Sequence, residues 1–194
     1  MLRQIFPATR RPATEMAPDA SHTILAAPRI DVRAPGEHDQ AGLIALINDL
    51  AAEANALFIL PVEGDAGAAN LRAHLAAAAR SGDEAILVAA CRGRIAGLAT
   101  ATRGIHPAKR GSAEIGIGVA PGQRRRGIGR ALMTEIDRWA PGAGIHRLHL
   151  TVVATNAPAI ALYRALGYAP EGVLRASARI GGALVDELVM AKLI

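Results

Sequence analysis

The sequence predicts a mixed α/β fold. Three observations carry this. Short apolar runs of strand length alternate or stay continuous. Longer runs place apolar residues at helical spacing. Glycine and proline mark the breaks between them. In chain order these read β-α-α-β-β-β-α-β-α-β-β, with no internal repeat. The 194 residues suit one compact domain with some extra length. Apolar residues make up 51% of the chain and aromatics only 3%, so a core exists and must be built from Ala, Leu, Ile and Val.

Residues 1–28 are rich in Pro, Ala, Thr and Arg without a sustained period. They read as a mobile tail, with Met16 as an alternative start, and residues 29–194 read as the folded domain. Ile30 to Arg33 is a short strand that Pro35-Gly36 ends. A helix follows with Leu43, Ile47, Leu50 and Leu57 at helical spacing. Phe58 to Gly67 reads as a loop, and a second helix spans Asn70 to Arg80 with Leu71, Leu75 and Ala78 on one face. Ala85 to Ala90 is a buried strand, and Arg92-Gly93 turns it into its hairpin partner, Ile95 to Thr102. After a polar loop, Gly104 to Gly111, the strand Glu114 to Val119 leads through Pro121-Gly122 into a basic turn. The next helix carries Ile128, Leu132, Ile136 and Trp139 on one face and ends at Pro141-Gly142. Leu148, Leu150 and Val152 alternate on another strand. Asn156 stands where an N-cap belongs, with Pro158 in the first turn, Leu162 and Leu166 facing inward, and Gly167 as terminator. Val173 to Ile180 and Ala183 to Leu193 flank Gly181-Gly182 as a tight hairpin.

Composition narrows the function classes. The single cysteine, Cys91, excludes an internal disulfide, fits a reducing, cytoplasmic setting, and reads as inert packing at a strand end. No apolar run is long enough to span a bilayer, so no membrane partner is expected. Arg3, Arg10 and Arg11 are not followed by the apolar stretch of a secretory signal, and Glu15 and Asp19 count against a transit peptide. The formal net charge of +5 leaves open nucleic acid, an anionic cofactor or solubility alone. His146 and His149, three apart on a strand, point to opposite faces and do not share a metal.

The run Gln123-Arg124-Arg125-Arg126-Gly127-Ile128-Gly129-Arg130 joins a strand to a helix start. Backbone N–H groups there lack internal partners, the dipole end is positive, and the glycines admit a ligand close to the backbone. Such a turn is a cradle for pyrophosphate, and the arginines add charge within reach of a further phosphate. It is neither a P-loop nor a dinucleotide fingerprint, because no Gly-Lys-Ser/Thr follows and Leu132 stands where a third glycine would be. In the preceding strand Ile115, Ile117 and Val119 share one face, while Gly116 and Gly118 leave the other bare. A thin ligand lying along that bare backbone is one reading, and close packing of a helix is the other.

Asn156-Ala157-Pro158-Ala159-Ile160-Ala161-Leu162-Tyr163-Arg164-Ala165-Leu166-Gly167-Tyr168 resembles the Asn-x-x-Ala-x-x-Leu-Tyr-x-x-x-Gly-Phe/Tyr signature of the GNAT acetyltransferases. The cradle resembles their Arg/Gln-x-x-Gly-x-Gly/Ala motif, with Arg124, Gly127 and Gly129 in register. The resemblance covers residues 30–194 by element order and is strong in residues over 113–190. It implies a mostly antiparallel sheet of about seven strands with helices on both faces, and a fourth and fifth strand that run parallel and then splay. It also implies acetyl-CoA as co-substrate and no metal. Amides near Ile117, Gly118 and Val119 would hold the pantetheine arm and polarise the thioester carbonyl. Those of Arg124, Arg125, Arg126, Gly127, Ile128, Gly129 and Arg130 would hold the pyrophosphate. Asn156 would contact the cofactor, and Tyr163 would protonate the departing thiolate.

The expected reaction is N-acetylation of a small-molecule amine such as an amino acid or polyamine, with a protein N-terminus or lysine as the alternative acceptor. An amine must be neutral to attack, so a base is needed. Glu114 is the candidate, and water relayed to backbone or to Glu187 would serve as well. Asp186 and Glu187 alternate across their strand, so at most one faces the pocket. A side chain such as Tyr163 could also be ordinary core. Two readings of other classes remain: a non-catalytic acyl-CoA sensor, and a basic nucleic-acid-binding domain. The basic run has no aromatic stacking residues beside it, which counts against the second. Pairing of two copies as a homodimer stays open.

Overall fold

The computed structural model describes residues 29–53 and 59–194. The strands are β1 (Ile30–Arg33), β2 (Glu84–Cys91), β3 (Arg94–Arg103), β4 (Ser112–Val119), β5 (Arg147–Val153), β6 (Ala169–Ile180) and β7 (Ala183–Leu193). The helices are α1 (Gln40–Ala52), α2 (Gly64–Ser81), α3 (Ile128–Gly142) and α4 (Ala157–Ala165). This is the predicted order of elements. The expected tail over residues 1–28, and the expected placements of Leu57 and Phe58, lie outside the described residues.

The seven strands form one sheet in the order β1-β2-β3-β4-β5-β7-β6. Every neighbouring pair is antiparallel except β4 and β5. Those two run parallel, and their pairing stops after Ser112–Glu114 against Arg147–His149. Beyond that point β4 remains paired to β3 as far as Val119, and β5 to β7 as far as Val153. The sheet is therefore split along its middle, and the split is the feature that positions the site.

Helices cover both faces. On one, Ile128, Leu132, Met133 and Ile136 of α3 and Ile160 and Tyr163 of α4 pack on Ala99, Ala101, Ala113, Leu148, Leu150 and Met190. Alanines and Gly97 on the sheet let α3 approach closely. A Cβ at Gly97 would stand 2.9 Å from both Ile128 Cγ2 and Leu132 Cδ1. On the other face, Leu43 and Ile47 of α1 pack with Val88, and Leu71 and Leu75 of α2 complete that smaller cluster.

Some boundaries and faces differ from expectation. Helix α2 starts at Gly64, six residues before Asn70, so the expected loop loses residues 64–67 to the helix. Gly64 at φ +59 turns the chain, and Asp65 in the first turn complements the helix dipole. Helix α3 includes Pro141 in its last turn and runs on to Gly142. In α4 the deepest side chains are Ile160 and Tyr163, whereas Leu162 and Leu166 are half-buried. The hairpin β6–β7 is interrupted: Leu174 pairs with Glu187 and Ala178 with Val185, so three residues of β6 bulge against Asp186 alone. Among the described residues no helix is long and apolar enough to cross a membrane.

Candidate active site

Hydrogen-bond parity settles which amides line the split. Ala120 N–H donates to Ala96 O at 3.0 Å, and Ser112 O accepts from Gly104 N–H at 3.0 Å. Even-numbered residues at this end of β4 thus turn their N–H and C=O groups toward β3. By alternation, the amides of Ile117 and Val119 face the opposite edge, where β5 has diverged. By the same alternation the carbonyl of Val119 is turned away from β3, and it accepts from Arg124 Nε at 3.0 Å.

The strand then delivers the chain into a run of free donors. The first intrahelical bond of α3 is Ala131 N–H to Gly127 O at 2.9 Å. Among the described residues, the N–H groups of Arg125, Arg126, Gly127, Ile128, Gly129 and Arg130 have no backbone or side-chain acceptor. Arg125 (φ 62) and Gly127 (φ 84) adopt left-handed backbone, which curls successive N–H groups into one concavity. A Cβ on Gly127 would meet only Ile30 Cδ1, at 3.9 Å, so the concavity is open. Gly129 is small for a different reason: a Cβ there would press Leu162 Cδ2 at 3.1 Å. These donors and this shape fit an anionic pyrophosphate.

The arginines divide. Arg124 is anchored by Val119 O and an ion pair with Glu53, and Arg126 NH1 donates to Gln123 Oε1 at 3.0 Å. Arg125 and Arg130 make no ion pair among the described residues. The expected charge on a further phosphate is therefore narrowed to these two side chains. The glycines of β4 divide as well. A Cβ on Gly118 would meet Leu50 Cδ1 of α1 at 2.5 Å, so close helix packing explains its bare face. A Cβ on Gly116 would meet only Thr100 Oγ1, at 2.9 Å.

A cavity of about 450 Å³ opens at the split. Glu114, Gly116 and Thr151 form its floor with Thr100 and Leu98, Ile47 and Val62 wall it, and Asn156 and Tyr163 line it from the α4 side. Asn156 caps α4 by accepting from Ala159 N–H at 3.2 Å through Oδ1, which leaves Nδ2 without an acceptor among the described residues. Tyr163 is only 6% exposed, and burial pushes its phenol up to about 12. It is thus both core, against Tyr168 at 6.1 Å between ring centroids, and cavity lining. Thr100 and Thr151 went unmarked in the sequence. Their signal is a polar residue between buried apolar ones, Thr100 between Ala99 and Ala101 and Thr151 between Leu150 and Val152, and it is legible only once the strands are paired.

Glu187 is 8% exposed and accepts from Ser177 Oγ at 2.9 Å, while Asp186 is exposed. Glu187 is thus the inward one of the pair. Among the described residues no cluster of His, Cys, Asp and Glu is placed to hold a metal.

Comparison with known proteins identifies the family and the fold. Residues 47–168 match the family described as Acetyltransferase (GNAT) family. The chain is similar to L-amino acid N-acetyltransferase AaaT of Escherichia coli (strain K12), 34% identical over 110 residues that cover 55% of this chain and 66% of that protein. It is similar to streptothricin acetyltransferase of Streptomyces lavendulae, 49% identical over 53 residues, 27% of this chain and 28% of that one. The matches thus span less than two thirds of either relative. Among solved structures, a GNAT-family acetyltransferase from Streptococcus pneumoniae superposes with a TM-score of 0.79 at 27% identity, covering 86% of this chain and 100% of that one.

Proposed function

We infer the reaction from one premise: the chain belongs to the acetyltransferase (GNAT) family. On it we read the protein as an N-acetyltransferase that moves the acetyl group of acetyl-CoA to a primary amine of a small molecule, by direct attack in a ternary complex. The observation that carries this reading is the continuity of the site. Six unpaired amides from Arg125 to Arg130 lead along the free edge of β4 to a cavity holding one carboxylate and one phenol. The names of the relatives, an amino-acid and a streptothricin acetyltransferase, support a small-molecule acceptor such as an amino acid or polyamine.

Each residue then has a task. The amides of Arg125 to Arg130 hold the pyrophosphate, and Asn156 steadies the donor through Nδ2. The outward amide of Ile117 or Val119 donates to the thioester carbonyl oxygen, where negative charge builds as the amine nitrogen bonds to carbon. Glu114, on the cavity floor, takes the proton that the amine must lose. The carbon–sulfur bond breaks as Tyr163 gives a hydrogen bond, and then its proton, to sulfur. Proton and electron counts balance: one proton leaves nitrogen, one reaches sulfur, and Tyr163 is restored from solvent or the base. The phenol is protonated at neutral pH, as a donor requires, and burial raises it further to about 12. The pairing of Arg124 with Glu53, which neutralises one charge of the basic run, counts against a nucleic-acid platform.

The test is turnover of acetyl-CoA against a panel of primary amines, with free thiol and acetylated product measured together. Equal amounts of both are expected with at least one small amine. Thiol release that no amine accelerates would remove the transferase reading.

A further inference from the structure

The cavity at the split has two sides, and the donor contacts assigned above use only one. The cradle amides lie at the start of α3, and Asn156 and Tyr163 belong to the start and body of α4. Both helices pack on the same face of the sheet. The cavity floor looks the other way. A Cβ on Gly118 would meet Leu50 of α1, and Glu114 and Gly116 share that face of β4. An amine that attacks the thioester from opposite the donor therefore has its body between this floor and α1.

What it meets there is apolar. Ile47 of α1, Leu98 of β3 and Ile59, Leu60 and Val62 ahead of α2 wall that side of the cavity. The wall is held in place by the fold. Ile59 and Val62 pack on the cluster of Leu43, Ile47 and Val88. Asn48 on α1 clamps Val62 with both ends of its amide: Nδ2 donates to Val62 O at 3.1 Å, and Oδ1 accepts from Val62 N–H at 2.7 Å. Leu60 lines the cavity and is 84% exposed, so the fold leaves its apolar surface uncovered. Among the described residues Glu114 is the one charged side chain in the lining. It is taken up by the reacting nitrogen in the reading above, so the wall offers no counter-charge to a second ammonium.

We propose that this wall binds the body of the acceptor, so that the substrate is a primary amine with an apolar body, an alkylamine or arylalkylamine, and not a polyamine. The proposal rests on the acetyl-transfer reading and narrows its acceptor class. Each methylene laid on Ile59, Leu60 and Val62 leaves water and adds affinity. An ammonium laid there loses its hydration and gains no partner.

The probes are ethylamine, butylamine, hexylamine and 1,4-diaminobutane, with acetyl-CoA as donor. The three alkylamines have nearly the same basicity, so differences among them report the body and not the nitrogen. From ethylamine to hexylamine kcat/KM should rise about threefold to fourfold per added methylene, the factor for a CH2 group taken out of water. Diaminobutane should fall about tenfold or more below butylamine, because its second charge has no partner on the wall. Leu60→Ser should flatten the rise, chiefly through a higher KM for hexylamine, with acetyl-CoA affinity by calorimetry unchanged. So exposed a side chain is replaced without threat to the fold. A flat or falling alkylamine series, or diaminobutane preferred to butylamine, overturns the proposal and leaves acetyl transfer standing. A Leu60→Ser variant that keeps the full rise also overturns it, since the body then lies elsewhere. If no amine accelerates thiol release, the transferase reading fails and this proposal fails with it.

Discussion

Tyr163 is a phenol whose proton is held more tightly than usual. Burial raises it to about 12, against a thiol near 8.5, so complete transfer to a free thiolate is uphill by roughly 4–5 kcal/mol. The phenol therefore helps chiefly as a hydrogen-bond donor to the charge that builds on sulfur as the carbon–sulfur bond breaks. Tyr163→Phe is expected to lower turnover by about one to three orders of magnitude, the usual range for a general acid, with acetyl-CoA affinity little changed. The ring would still pack on Tyr168, so stability should fall little. Single-turnover kinetics are the measurement, since slow product release masks a chemical defect in steady state. An unchanged single-turnover rate would return Tyr163 to the core. At this scale the sequence was legible where a motif names a residue, as for Tyr163, Gly127 and Asn156. It was less so where function depends on a side chain's partner. Nothing in the basic run told Arg124, anchored to Glu53, from Arg125 and Arg130. Partners 71 residues apart are set by the fold, not by local pattern.

The junction of β4 and α3 is the element on which binding depends. Two left-handed residues, Arg125 and Gly127, shape it, and only the second is a glycine. Gly127→Asp keeps a residue that tolerates left-handed backbone better than most, and its Cβ would meet little. Its carboxylate, however, would project into a concavity lined by N–H groups and compete with the ligand's phosphates. The variant is expected to fold, with the strain costing about 1–2 kcal/mol, and to show no CoA binding by calorimetry. Normal binding would mean that the cradle lies elsewhere. The order of elements and the parallel β4–β5 pair were readable from periodicity and from the family resemblance. The start of α2 and the bulge of β6 were not. An alanine-rich helix start carries little apolar signal, and Gly64 and Gly67 read locally as loop. The bulge depends on Asp186 bonding Ala176 across the hairpin, which no single strand encodes. Likewise Gly118 in the sequence suggests a ligand as readily as a helix, and only Leu50 of α1 decides it.

At the scale of the molecule, the sheet is split between β4 and β5 beyond Glu114, while one apolar cluster under α3 and α4 continues across the split. On the other face, α1 and α2 cover the β1 to β4 side. Beyond Glu114 no strand hydrogen bonds cross the split. A ligand that bonds to the free edge of β4, to Asn156 before α4 and to the amides before α3 would thus tie the halves together in the native state alone. The unfolded chain has no such cradle, so binding must raise stability by mass action, about 2.7 kcal/mol at a hundredfold excess over Kd. For a chain of this size that is expected to raise Tm by roughly 5–10 °C. Desulfo-CoA should give a similar rise, because the contacts assigned to Arg125 through Arg130 and to Asn156 do not involve sulfur. A short oligonucleotide of equal phosphate concentration should give none, which separates a built pyrophosphate site from a diffuse positive surface on a chain of net charge +5. The measurement is a thermal-shift titration at low and at physiological salt. No rise at millimolar acetyl-CoA would leave the split without its ligand and the function without its donor. A rise with oligonucleotide that vanishes at physiological salt would favour the basic-surface reading instead.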